Sequence, residues 1–416
     1  MALLSSTSRL TLDLPPSCIA FCPSDQNLLV VGTYFLHPLE NRQEKNSHDD
    51  NSGDAGAEGR LQKRSGSLIL YRLEEGSDVI TQLATKPVDY AVLDIQWSRY
   101  ATGEGQLLAV ATSTGQIAIY RLPTSEGNAI GNLELCSAHA VADPSILVLY
   151  LAWHPKDRGT IGYTLSDGTV GLCSCGSGND WRDPNCSVTL AEVHSHSLEA
   201  WTLTFNLPDA SAILSGGDDA ILKSSTRIPD GEEYALSWQD RKIHQAGVTA
   251  ILPLTPTLTL TGSYDDHIRL IASPATGTGR RKVLAEANLG GGVWRLKMLD
   301  SQRLLDTNDV QADQGMSPPP AHALILASCM HAGTRMVRLS RSHLASVENE
   351  DDVWQFEVLA RFEEHESMNY ASDAVVQEGK EGKEWRVVST SFYDRLMCSW
   401  RFELEGRDEV KPEGES

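Results

Sequence analysis

Apolar residues in this chain come in short runs. Most of the runs are paired across a polar turn, with the second run alternating apolar and polar as a returning strand does. LLAVATSTGQIAIYR (107–121) shows the pattern at its clearest, and LTLTGSYDDHIRLIA (258–272) repeats it. Equivalent pairs lie at 28–72, 161–174, 212–225, 324–339 and 386–401, which makes seven. Ahead of each stands a further apolar stretch that reads as the strand entering the unit: 18–22, 92–97, 147–153, 201–205, 248–252, 293–298 and 374–376. Before the first unit, SRLTLDL at 8–14 alternates without a local partner.

Self-similarity at a spacing near or above about 40 residues is the signature of a propeller. The pattern therefore predicts an all-β, seven-bladed β-propeller occupying residues 1–416 as one unit, with the excess over the usual repeat length lying in loops. Residues 1–14 are expected to supply a closing strand that pairs with the last blade and removes an exposed sheet edge. Polar segments mark insertions: 37–66 in blade one, read as disordered, 300–320 in blade six, and a smaller one at 377–384. Residues 403–416 form an acidic tail.

Composition narrows the function classes. The formal net charge is −21, so the basic stripe of a nucleic-acid binder is missing. No apolar run approaches the length of a membrane span, and residues 1–14 lack the charged-then-apolar order of a secretory signal. Eight cysteines are scattered through the chain. They read as reduced thiols of a cytoplasmic protein, with Cys173 and Cys175 as buried thiols rather than metal ligands.

Sequence motifs for chemistry are sparse. There is no G-x-S-x-G elbow, no H-E-x-x-H helix and no P-loop, and neither metal nor cofactor is predicted. His194-Ser195-His196 lacks a carboxylate partner for a metal. In a propeller the outer-to-inner connections and the second-to-third-strand turns emerge on one face, around the channel mouth. Here those segments are rich in functional groups: Glu199-Ala200-Trp201, Asp218-Asp219, Tyr264-Asp265-Asp266-His267, Trp294-Arg295, Met330-His331 and Phe392-Tyr393-Asp394. Carboxylates, an imidazole, a guanidinium and aromatic walls around one cleft can activate water and stabilise an oxyanion.

The repeats resemble the WD-repeat family of β-propellers. The signature dipeptide is degraded to Tyr71-Arg72, Tyr120-Arg121 and Trp400-Arg401, while His139, His196, His244 and His365 fit the loop histidine of that family's hydrogen-bonded brace. The series E-A-W, S-G-G-D-D, G-S-Y-D-x-H, G-G-V-W-R-L-K, C-M-H-x-G and S-F-Y-D, running through blades four to seven, further resembles the diphthine methylesterase family. Ser224-Ser225 and Ile271-Ala272 depart from that pattern. The resemblance implies hydrolysis of the methyl ester of methylated diphthine on translation elongation factor 2, by a cytoplasmic monomer. The chemistry of an ester then suggests His331 as base, with Asp265 orienting it or activating water, and Tyr264 and Arg295 as donors to the carbonyl. Trp201, Trp294 and Tyr393, with Glu199 and Asp218, would bind the cationic substrate. Cys329 and Ser263 are alternative nucleophiles. The other function class for such a ring is a non-catalytic scaffold, for example in membrane recycling.

Overall fold

The computed structural model describes residues 1–38, 62–100, 104–123, 132–176, 180–207, 210–228, 233–274, 279–302, 321–343, 352–378 and 383–404. All regular elements among them are strands, and these form seven sheets, each an antiparallel meander at its core. The chain is a seven-bladed β-propeller. Its inner strands are Pro16–Cys22, Val92–Trp97, Val148–Trp153, Ala200–Phe205, Val248–Pro253, Arg295–Gln302 and Ala371–Glu378. No helix occurs among the described residues, so none is long and apolar enough to cross a membrane.

The two kinds of apolar pattern have one cause. A second strand such as Gln106–Thr112 is buried at every position, because neighbouring blades cover both of its faces. An outer strand such as Tyr234–Asp240 is covered on one side and mixes exposed with half-buried positions. The core is accordingly a series of layers between blades: Leu107, Ala109 and Ala111 of blade two pack on Leu151, Ile161 and Tyr163 of blade three.

Ring closure uses three devices. Ser8–Thr11 lies antiparallel to Leu396–Glu403 as the outer strand of blade seven, with Ser8 opposite Ser399 and Thr11 opposite Leu396. Ala2–Leu4 adds a parallel fifth strand to blade six, against Ala360 to Phe362. The third device is ionic. Asp78, in the turn before the outer strand of blade one, accepts from Arg386 Nε at 2.9 Å and from Arg401 Nε. Arg386 also donates to Asn27 Oδ1, Leu73 O and Glu74 O, each at 2.9 Å, which ties blade seven to blade one.

The insertion in blade one is narrower than its polar composition suggests. Phe35–Leu36 pairs with Arg64 and Ser65, and the strand Arg64–Leu73 continues from there. Residues 39–61 lie outside the described residues, as do 303–320 of the blade-six insertion, 379–382 of the smaller one and 405–416 of the tail.

The cysteine expectation needs correcting. Cys173 is a buried free thiol, but Cys175 forms a disulfide with Cys186, because Val188 at the start of the outer strand pairs opposite Cys175 and brings the two cysteine Cα atoms to 6.6 Å.

The loop histidines sit in braces. His196 bonds Asp219 Oδ1 at 2.9 Å and Ser215 Oγ at 2.7 Å, and His365 bonds Ser389 Oγ, to which Trp400 Nε1 also donates. In blade four Ser225 stands where Trp400 stands in blade seven, and His194 fills the gap by bonding both Ser225 Oγ and Ser215 Oγ. That absorbs the His194-Ser195-His196 motif into structure. Among the described residues, no group of three or more His, Cys, Asp or Glu side chains is placed to hold a metal ion.

A candidate quaternary-ammonium cleft at the channel mouth

Four aromatic rings from four segments, one in each of blades four to seven, meet at one end of the channel. Trp201 opens the inner strand of blade four, and Tyr264 lies in the second-to-third-strand turn of blade five. Trp294 precedes the inner strand of blade six and Tyr370 that of blade seven. Their centroids are 5.5 Å apart for Trp201 and Trp294, 6.2 Å for Trp201 and Tyr264, 5.9 Å for Tyr264 and Trp294, and 5.2 Å for Trp294 and Tyr370. Phe392 and Tyr34 continue the row towards blade one, at 5.6 and 6.1 Å.

Glycines make this approach possible. A Cβ on Gly247 would stand 2.8 Å from Tyr264 Cδ2, and one on Gly292 would stand 2.7 Å from Met330 Sδ and 3.3 Å from Tyr264 Cδ1. Space therefore requires glycine at 291 and 292, where a Cβ on Gly291 would collide with Cys329 O, whereas Gly290 is required by its φ of +88°. Backbone bonds fix the rest: Tyr264 N–H to Gly247 O at 2.9 Å, Val293 N–H to Ser263 O at 2.9 Å and Trp294 N–H to Ser328 O at 2.8 Å. Buried Asn369 holds the approach to Tyr370, donating to Ala371 O and Thr390 O.

Two carboxylates give the cleft its sign. Asp218 accepts from Trp201 Nε1 at 3.0 Å, and its backbone N–H donates to Glu199 O at 2.8 Å. Burial pushes the Tyr264 phenol well above its usual range, and the charges of Tyr370, Asp218 and Glu199 push the same way. Arg295 lies on the inner side. Its guanidinium sits 4.6 Å over the Trp294 ring and 4.7 Å over that of Tyr150, and it donates to Thr249 O and Trp294 O. Deeper still, burial raises the Asp94 carboxyl to about 6, against the opposing charge of Arg295 and a hydrogen bond from Leu151 N–H.

The structure thus gathers Trp201, Asp218, Tyr264, Trp294 and Arg295 into one cluster, with Glu199 beside it. The others lie apart. Asp265 is part of a brace: it pairs with Arg269 at 2.9 Å and accepts from Gln245 N–H and His267 N–H. Burial acts to raise its carboxyl, yet those bonds outweigh it and hold the group below its usual range. His331 is exposed at the tip of its turn, without a hydrogen-bond, ion-pair or ring partner among the described residues. The turn packs on the glycine triplet, since a Cβ on Gly291 would stand 2.9 Å from Ala332 Cβ. Tyr393 is 69% exposed and touches only the outer end of the aromatic row, 5.0 Å from Phe392. Cys329 and Ser263 are fully buried, and burial pushes the Cys329 thiol up to about 12. Neither is presented to the cleft as a nucleophile.

The sequence reading missed Tyr370, Tyr150 and Asp94. Tyr370 precedes a strand that begins before the apolar residues used to recognise it. Asp94 and Tyr150 belong to blades that matched only as propeller.

Fold and side-chain placement together define a β-propeller with a cluster of aromatic rings flanked by carboxylates at one channel mouth. No family model matches the chain. It is similar to proteins named diphthine methyltransferase: 28% identical to that of Schizosaccharomyces pombe, over 93% of this chain and 95% of that one, and 29% identical to that of Homo sapiens, over 79% and 67%. The relative from Saccharomyces cerevisiae is 23% identical over 93% and 95%. Among solved structures, Sqt1 from Chaetomium thermophilum superposes with a TM-score of 0.55 at 12% identity, covering 94% of this chain and 97% of that one; this likeness concerns the fold alone.

Proposed function

We propose that this protein hydrolyses the methyl ester of methylated diphthine on translation elongation factor 2, releasing methanol and leaving the free carboxylate of diphthine. The observation that carries the reading is the ring of Trp201, Tyr264, Trp294 and Tyr370 with Asp218 and Glu199 beside it. Aromatic faces backed by negative charge are what a trimethylammonium group binds. The names of the relatives support the coarser part, a role in diphthamide biosynthesis.

In this reading the ester lies inward of the ammonium group, within reach of Arg295. A base takes a proton from water as its oxygen bonds to the carbonyl carbon. Arg295 donates to the oxyanion that forms, and Tyr264 is the second donor. Collapse breaks the acyl–oxygen bond, and the methoxide leaves as methanol with the proton. Of the two expected bases, Asp265 is held by Arg269 and His331 has its imidazole free but stands at the exposed tip of its turn, apart from the Arg295 cluster, so the His331→Ala variant is the test of the base role that ester chemistry suggested.

The test is incubation of the purified protein with elongation factor 2 carrying methylated diphthine, followed by intact mass. Loss of one methylene's mass supports hydrolysis, and its abolition in His331→Ala supports the base. Unchanged mass with folded protein and authentic substrate overturns the reading in favour of a scaffold. A gain of methyl in the presence of a methyl donor overturns it in favour of transfer.

A further inference from the structure

On the flank of the ring, between blades four and five, a groove of about 900 Å³ is lined by Asp240, Lys242 and Ile243 on one side and by residues 280–286 on the other. Its charge runs against that of the molecule. In a chain of net charge −21, Lys242, Arg280 and Lys282 line this groove and Arg241 adjoins it. All four are exposed, and none has an ion-pair partner among the described residues. The carboxylates within reach are already engaged. Asp240 caps its own turn through Lys242 N–H and Ile243 N–H, and Glu286 accepts from Arg269 at 3.2 Å. The floor is stiff, with the Arg281 guanidinium stacked 3.9 Å over the Trp238 ring.

One wall is a sheet edge. The outer strand Lys282–Asn288 pairs, as a strand, only with His267–Ala272 among the described residues, from Lys282 opposite Ala272 to Asn288 opposite His267. Its other edge can accept an added strand. Edge lysines commonly guard against such pairing between like molecules. Here the guard is selective, because an acidic strand would be attracted where an acidic copy of this protein, with the same cations at its own edge, gains nothing.

We infer that the groove between blades four and five is a docking site for an extended acidic segment of a partner protein, held by Lys242, Arg280 and Lys282. At about 3.3 Å per residue, the open edge accommodates roughly six or seven residues in extended form. A nucleic-acid duplex fits less well, since its phosphates would extend beyond the groove onto a predominantly acidic surface. The inference is independent of the chemistry at the channel mouth.

The experiment uses the full-length protein and a fluorescein-labelled peptide of about ten residues alternating Glu and Thr, read by anisotropy, with a Lys/Thr peptide and a short RNA duplex as comparisons. Expected is binding that weakens with salt and falls at least about tenfold in the Lys242→Glu/Arg280→Glu/Lys282→Glu variant, with its melting curve unchanged. Neutral Gln replacements at the same positions should give an intermediate loss. Absence of binding by the unaltered protein, equal binding of the Lys/Thr peptide, or equal affinity in the variant overturns the proposal and leaves the cations as edge guards. Tighter binding of the duplex also overturns it, in favour of a nucleic-acid surface.

Discussion

Replacing Asp78 with alanine should destabilise the ring by about 3 kcal/mol, at the low end of the about 3–5 kcal/mol typical of a broken buried ion pair. The low end follows from the geometry. Arg386 is 1% exposed, and loses its only charged partner among the described residues, but keeps its bonds to Asn27, Leu73 and Glu74. Arg401 is 31% exposed and retains Glu384 at 2.9 Å, so water and that carboxylate compensate much of its loss. With an unfolding entropy of about 2.1 cal/mol/K per residue, a 416-residue chain has about 0.9 kcal/mol/K, and the melting midpoint drops by about 3–4 °C. Guanidinium unfolding of the single variants and of Asp78→Ala/Arg386→Met gives the sharper reading. Because the penalty comes from an unpaired buried cation, the double variant should lose well under the sum of the singles. A loss below about 1 kcal/mol for Asp78→Ala, or strict additivity in the double, would refute the claim that this carboxylate neutralises the blade-seven arginines.

Trp294→Ala should weaken binding of tetramethylammonium, followed by chemical-shift titration, by about three- to thirtyfold; an unchanged affinity removes the cleft as an ammonium site. Arg295→Met should lower the rate of methyl release by about 10²–10³ with little change in KM, and a change confined to KM would make Arg295 a binding group instead. Burial holds His194 near about 3 and His244 and His365 near about 4, below the about 6.5 of an unfolded histidine. Below that pH the unfolded chain binds protons that the folded one refuses, so stability is lost as pH falls from about 6.5 towards 4. Denaturant midpoints at pH 7.5 and 5.0 should therefore differ, and less so in His365→Gln; equal midpoints would contradict neutral, buried histidines.

The ring was readable because burial on both faces leaves a long apolar signal in each second strand, and seven such signals set the blade count. Ala2–Leu4 escaped because three residues carry no period and their partner, Ala360 to Phe362, is adjacent only in the fold. The cleft was legible where aromatics stand at the start of inner strands, as Trp201 and Trp294 do. Asp265 looked equally available, since a sequence shows a carboxylate in a turn but not the arginine four residues on that turns inward to meet it. Asp78 gave no signal at all. Its two arginine partners are more than 300 residues away in the chain, and only closure of the circle makes them neighbours.

That closure has a consequence for how the protein is made. Ser8–Thr11 leaves the ribosome long before its partner, because Leu396 to Ser399 lies about 390 residues further along the chain. At about 5–20 residues per second, the first strand waits roughly 20–80 s for the segment it pairs with. Throughout that time the nascent chain is an open arc with an unsatisfied edge at each end, so its most aggregation-prone form is a normal stage of synthesis. Messages that stop short of codon 396 would hold the product in that form, because the strand that closes the ring is then never made.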